Sequence, residues 1–149
     1  GRESQYAGAD SSYLNVLTPL AAARMFRELF AGDVPLGTEA RARALDFLLR
    51  DRQSEKAKLP HFQVSEYLGG GVPEEATIWS KAGRNSWTGD PRASYYKHDL
   101  IRIAQPGAVP VILALMTQGK AICEDLPEAF PEMGQILCSH LLKKGEAEA

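Results

Sequence analysis

Between Thr18 and Gly32 the apolar residues recur at helical spacing, with Leu20, Met25, Phe26, Leu29 and Phe30 on one side. Thr18-Pro19 predicts the start of this helix: the Thr hydroxyl can cap free N–H groups, and Pro suits the first helical position. Gly32 predicts its stop. A second helix is expected from about Thr38 to Arg52, with Thr38 as cap, Glu39 in the first turn and Leu45, Leu48 and Leu49 on one side. Arg41, Arg43, Arg50 and Arg52 then read as its solvated face. The first 17 residues, rich in Gly, Ser, Ala and Tyr, have no sustained period and read as loop. Residues 53–75 read as irregular, with Gly69-Gly70-Gly71 followed by Val72-Pro73 marking a loop.

Further along, the pattern shortens to that of strands. Residues 76–83 are β-branched and aromatic at Thr77, Ile78 and Trp79. Residues 95–104 alternate, with Leu100 and Arg102 against Ile101 and Ile103. Residues 109–117 form a nearly continuous apolar run, as expected of a strand covered on both faces. The link Gln105-Pro106-Gly107-Ala108 is hairpin-sized. After Lys120 the spacing turns helical again, with Met133, Ile136, Leu137 and Leu141 in one stripe and Cys138 buried in the same pattern. Pro127 and Pro131 should confine the regular helix to the residues after Pro131. Lys143-Lys144-Gly145 suits its C-terminal dipole. The order helix, helix, three-strand meander, helix describes an α/β chain of the α+β type, an antiparallel sheet with helices over its apolar faces.

Composition narrows the partners. The 149 residues suffice for one domain, and 44% hydrophobic with 24% charged residues argues for a packed core and against disorder. A net charge of -2 argues against nucleic acid or an anionic membrane as partner. No apolar run approaches the ~20 residues of a membrane span, and no signal peptide is recognisable. Cys123 and Cys138 make no C-x-x-C pair, and a bridge between them depends on geometry. His61, His98 and His140 are scattered, so neither a metal nor another cofactor is expected.

The chemistry concentrates in Trp79-Ser80-Lys81-Ala82-Gly83-Arg84-Asn85-Ser86-Trp87-Thr88-Gly89. A strand ending in Lys-Ala-Gly sets a cation beside backbone that a ligand can approach closely. Arg84, Arg92, Lys97, His98 and Arg102 add positive charge, partly offset by Asp90 and Asp99. Ser80, Ser86 and Thr88 offer hydroxyls. This reads as a site for an anionic group; the competing reading is a charged strand that resists edge pairing.

Thr77-Ile78-Trp79-Ser80-Lys81-Ala82-Gly83, preceded by Val72-Pro73-Glu74-Glu75, resembles the Lys-Thr-Gly strand of class A β-lactamase-like, penicillin-recognising serine hydrolases. The segment from Asn15 through Thr18-Pro19-Leu20 resembles the exit from that family's omega loop, and residues 36–41 resemble the turn into its next helix. Residues 98–103, 110–117 and the C-terminal helix follow in the family's order, so the resemblance spans about residues 15–144 and implies the C-terminal part of the fold. It further implies acylation of a serine followed by water attack, on a small, anionic, β-lactam-like substrate. Lys81 would hold the substrate carboxylate and organise proton transfer. The Arg84 backbone N–H would form half the oxyanion hole. Ala82, Gly83, Ser86 and Thr88 would line the substrate. An exported, periplasmic or secreted location and a part in antibiotic resistance are implied by the same likeness.

The chain departs from the family's pattern in three ways. Ala82 stands where the family has Thr, and the connection from Arg84 to Lys97 is long. The family's Ser-x-x-Lys and Ser-Asp-Asn motifs lie upstream of everything matched. The literal Ser94-Tyr95-Tyr96-Lys97 sits at the start of a strand, and Glu3, in the omega-loop region, lacks the Asn that follows the family's deacylating Glu at its fourth position, which here is Ala7. The nucleophile would therefore come from an N-terminal segment that associates with this chain and covers the apolar strand 109–117. An esterase or peptidase of the same superfamily, a non-catalytic ligand-binding module on the same fold and an unrelated interaction domain are the alternatives.

Overall fold

The computed structural model describes residues 17–142. Helix α1 (Pro19–Ala31) begins as its sequence dictates. Thr18 Oγ1 accepts the Ala21 N–H at 3.1 Å, Pro19 takes the first position, and Gly32 closes the helix at φ 94°, a left-handed conformation that glycine adopts without strain. Helix α2 (Thr38–Leu48) is shorter than its pattern suggests. Gly37 holds the cap position and Thr38 is already helical. The helix ends because Leu49 becomes extended and bridges Trp79, while the Arg50 N–H donates to Ile78 O at 2.9 Å. Three short 3₁₀ turns occupy the irregular stretch that follows.

The sheet is a three-stranded antiparallel meander, β1 (Thr77–Arg84), β2 (Tyr96–Ala104) and β3 (Val111–Gln118), in the order β1-β2-β3. Ala82 stands opposite Asp99, Gly83 opposite His98 and Arg84 opposite Lys97. Strict alternation then sends Ile78, Ala82, Ile101 and Ile103 to one face, buried against Val64, Tyr67, Leu68, Val72, Phe130 and Cys138. The other face holds Leu100 under Ala22 and Phe26 of α1. Burial of these side chains supplies the main driving force at about 25 cal/mol per Å² of apolar area.

Helix α3 (Ala129–Leu141) follows a π turn at Ala121–Asp125. It starts before Pro131 rather than after it, because a proline in the first turn forfeits no intrahelical bond. Its buried residues are Phe130, Gly134 and Cys138, whereas Ile136, Leu137 and Leu141 of the expected stripe are exposed. Glycine decides which side faces in. A Cβ on Gly134 would collide with Leu68 O, and one on Gly71 would collide with Pro131 O, so helix and turn meet backbone to backbone. Likewise, α1 buries Ala22 and Phe26, while Leu20 and Met25 are exposed.

One further expectation holds in part and another changes. Strand β3 packs on both faces as expected, Val111, Leu113 and Leu115 against one cluster and Ile112, Ala114 and Met116 against the other. It stays half-exposed because it is an edge whose sole partner among the described residues is β2. The arginines of α2 and its exit are not a solvated face. Arg41 donates to Leu29 O and Phe30 O at 2.7 and 2.6 Å, closing the end of α1. Arg52 gathers the carbonyls of Val72, Pro73, Glu74 and Ala76. Arg43, paired with Glu39, is the exposed one. Cys123 and Cys138 are both buried free thiols. Among the described residues no helix is long and apolar enough to cross a membrane. Glu3, Ala7, Asn15 and Lys143-Lys144-Gly145 lie outside the described residues.

Candidate active site

The site follows from the hydrogen-bond alternation of β1. The Asn85 N–H donates to Tyr96 O at 3.0 Å, so the odd-numbered residues of β1 turn their backbone groups toward β2 and the even-numbered ones turn theirs away from the sheet. Three outward carbonyls agree. Ile78 O accepts the Arg50 N–H, Ser80 O accepts Arg50 Nη2 at 2.8 Å, and Ala82 O accepts Lys81 Nζ at 2.9 Å. The same alternation aims the Ala82 and Arg84 N–H groups outward. The upstream half of this edge is occupied by Leu49 and Arg50; the half from Ala82 to Arg84 is open among the described residues.

Lys81 is exposed, and its ammonium sits on the open edge beside Ala82 O. In an extended strand the Ala82 carbonyl and the Arg84 N–H are neighbours on one side. A cation and an unpaired N–H donor therefore share one short stretch of edge. Gly83 adds access, since nothing lies within 4 Å of where its Cβ would be. Ala82 presents backbone alone, because its methyl group is buried at 4% exposure on the core face.

The connection after β1 is tied down throughout. Asn85 donates from Nδ2 to Ala93 O and accepts the Tyr96 N–H at Oδ1. Thr88 and Ser94 are spent inside this connection: Ser94 Oγ accepts the Thr88 N–H at 2.9 Å, donates to Asp90 O at 2.6 Å and lies 3.1 Å from Thr88 Oγ1. Ser86 is exposed beyond the open edge. Ser94 and Lys97 do not meet as a nucleophile and base, since Lys97 Nζ lies over the Phe130 and Tyr67 rings at 4.7 and 5.2 Å.

The positive charge differs in membership from the sequence reading. Arg102 lies over Phe30 and Trp79 on the other face, Arg92 pairs with Asp90, and His98 Nδ1 accepts the Thr117 N–H. Arg50, Lys81 and Arg84 are the cations at the β1 edge. Beneath that edge lie two ionisable groups whose significance the sequence pattern hid. Asp99 is 2% exposed; its Oδ2 accepts the Leu68 N–H at 3.0 Å and its Oδ1 has no partner among the described residues. Burial pushes its carboxyl up to about 7, against the opposing pull of the Leu68 N–H and the Arg50 guanidinium. Lys97 is fully buried with Nζ likewise unpartnered, and burial holds its ammonium below the usual lysine range. Alternation along β2 sets both on the same face as Ile101 and Ile103; what it does not fix is that Tyr67, Leu68 and Phe130 close over that face. Among the described residues no group of His, Cys, Asp and Glu is arranged to hold a metal ion.

No family model matches the chain, and neither does any curated protein. Solved structures do match. A β-lactamase from Burkholderia vietnamiensis superposes with a TM-score of 0.61 at 22% identity, over 89% of this chain and 44% of that one. One from Xanthomonas campestris pv. campestris gives 0.61 at 22% identity over 85% and 41%. An ancestral class A β-lactamase gives 0.56 at 22% identity over 82% and 40%. The fold is that of the C-terminal part of a class A β-lactamase. The chain thus spans about two fifths of the length of these β-lactamases, and at such identity the likeness speaks for the fold alone. The β-lactamase-like meander is the element that carries Lys81-Ala82-Gly83 on its open edge.

Proposed function

We propose that this chain forms one wall of the active site of a β-lactamase-like serine hydrolase acting on a β-lactam or related amide or ester. The reading is carried by one observation: an outward N–H at Arg84 lies next to the Ala82 carbonyl that holds Lys81 Nζ at 2.9 Å, on a strand edge with no other occupant among the described residues from Ala82 onward. Such an edge can align an extended substrate and keep a donor aimed where negative charge develops. In the reaction, a serine hydroxyl from another segment adds to the substrate carbonyl as its proton passes to a base. Collapse breaks the bond to the leaving nitrogen or oxygen, which takes the proton, and water then cleaves the acyl-serine. Lys81 holds the substrate's anionic group and favours the proton's departure; the Arg84 N–H stabilises the oxyanion, a donor of the type whose loss costs roughly 10²–10³ in rate.

The segment bearing the serine has a natural place on the free edge of β3. Residues 111–117 carry no charge and are half-exposed, a template for a further strand. Export and a role in antibiotic resistance belong to the same proposal. The buried methyl of Ala82, where the family has a hydroxyl, favours as second reading an esterase or peptidase, or a module that binds without turnover. Denaturing intact-mass spectrometry before and after incubation with benzylpenicillin tests the proposal. A companion polypeptide that gains the drug's mass supports the two-segment enzyme. A sample in which the companion is present, no polypeptide gains mass and the benzylpenicillin is recovered unhydrolysed contradicts β-lactam turnover and leaves the binding module.

A further inference from the structure

Residues 85–95, which join β1 to β2, carry an aromatic pair that the reading of the edge leaves unused. Trp87 is 57% exposed, and its ring stands 6.1 Å from that of half-buried Tyr95, at 35° to it. Exposure alone decides nothing, because single apolar side chains are common on surfaces. What sets this pair apart is how firmly it is held and where.

Tyr95 adopts φ 60°, a left-handed conformation that a side-chain-bearing residue keeps only where its surroundings impose it. Here they do. The Tyr95 N–H donates to Ser86 O at 3.4 Å, and the Gly119 N–H donates to Tyr95 O at 2.9 Å. Gln118 Nε2 donates to Pro91 O at 3.1 Å and to Ser94 O at 3.3 Å, and the Tyr96 hydroxyl donates to Arg92 O at 2.6 Å. Together with the bonds of Asn85 and Ser94, these brace the connection from β2 and from the end of β3. A ligand that stacks on Trp87 therefore meets a surface with little left to order. Trp87 follows Arg84 by three residues, so its backbone lies within about 10 Å of the outward Arg84 N–H. Between them Ser86 is exposed, and its hydroxyl has no hydrogen-bond partner among the described residues.

We infer that Trp87, backed by Tyr95, is a stacking platform for an aromatic ring on the acyl side of the substrate, with the Ser86 hydroxyl bonding the polar link between ring and reacting carbonyl. The inference rests on the reading of β1 as the ligand-binding edge and deepens it. A carbonyl held at the Arg84 N–H directs one of its two substituents along the chain toward Ser86 and Trp87, and a short link spans the remaining distance. The ring is uncharged. Asp90 and Arg92 are the only ionised side chains of the connection, and they pair with each other, so the platform offers a flat apolar face and one hydroxyl. The preferred substrates are amides or esters whose acyl group ends in a neutral aromatic ring. Because the connection is long against the family's pattern, the platform is an addition that this chain makes to the edge.

Two neutral probes test this without any serine: N-phenylacetylglycinamide, and N-acetylglycinamide, which lacks the ring. The ¹H–¹⁵N spectrum of the chain is titrated with each, and the Trp87 Nε1–H and the Ser86 and Arg84 amides are followed. The ring-bearing probe is expected to shift all three saturably and to bind about tenfold more tightly than the other. Trp87→Ala should remove that tenfold advantage, whereas Trp87→Phe, which keeps an aromatic face, should cost about threefold or less. An amide spectrum that matches the parent's away from the connection shows that each variant is folded. A Trp87 Nε1–H that stays in place at every soluble probe concentration would overturn the inference. Equal affinity for the two probes, full affinity in Trp87→Ala, or shifts at Trp87 that leave the Arg84 amide in place would do the same. Serine acylation is read by mass on another polypeptide, so the failure of either reading is recognisable apart from the other.

Discussion

The substitution Asp99→Asn should change how stability depends on pH, and the structure sets the size of the change. The carboxyl is pushed from 3.8 to about 7, chiefly by its burial on the core face opposite Ala82. Over the interval between these values the folded chain binds a proton that the unfolded chain has released, so stability falls as pH rises. The loss is fully present above pH 7 and absent below about pH 4. At 1.36 kcal/mol per unit, three units amount to about 4 kcal/mol. The substituted carboxamide would keep an oxygen for the Leu68 N–H and would not ionise. Urea unfolding of parent and variant from pH 4 to pH 8.5 gives the difference in free energy at each pH. The histidines cancel in that difference because both proteins share them. The variant is expected to gain on the parent by about 4 kcal/mol between pH 4 and pH 8. Parallel profiles across that interval would refute the reasoning, since they would mean that Asp99 titrates alike in folded and unfolded chains.

Gly134→Ala places a methyl group against Leu68 O, and both sides of that contact are backbone; overpacking should outweigh the gain in helix propensity and destabilise by about 1–3 kcal/mol in thermal or urea unfolding. Arg52→Lys retains the charge but loses the fork that spans Val72, Pro73 and Ala76, and a loss of about 1–2 kcal/mol is expected by the same measurement. Lys97→Met replaces a buried ammonium that has no hydrogen-bond partner among the described residues with an apolar chain of similar length among Tyr67 and Phe130. It should leave stability at pH 7 unchanged or raise it, whereas a fall above about 2 kcal/mol would mean that the ammonium has a partner.

Elements whose signals are local are legible in the sequence. Thr18-Pro19 and Gly32 bracket α1 because caps act within a turn, and the three strands fall within two residues of the expected bounds. The sequence misleads where tertiary partners decide. The apolar stripe of α3 runs from Met133 to Leu141, but two glycines let backbone meet backbone and turn another side inward. Arg41, Arg50 and Arg52 look solvated in a helical pattern, and only the fold shows the unpaired carbonyls within their reach. Lys81 and Arg84 are nameable from Lys-Ala-Gly.

Amide hydrogen exchange along β1, in the free protein and after treatment with benzylpenicillin in the presence of the serine-bearing segment, tests the central claim most directly. The account expects Lys81 and Gly83 N–H to be protected throughout by their bonds to β2, and the outward Arg84 N–H to exchange quickly when free and at least about tenfold more slowly once the acyl group is bound. An Arg84 N–H already protected in the free protein, or one whose exchange is unaltered by acylation, would contradict the assignment of this edge to the reaction.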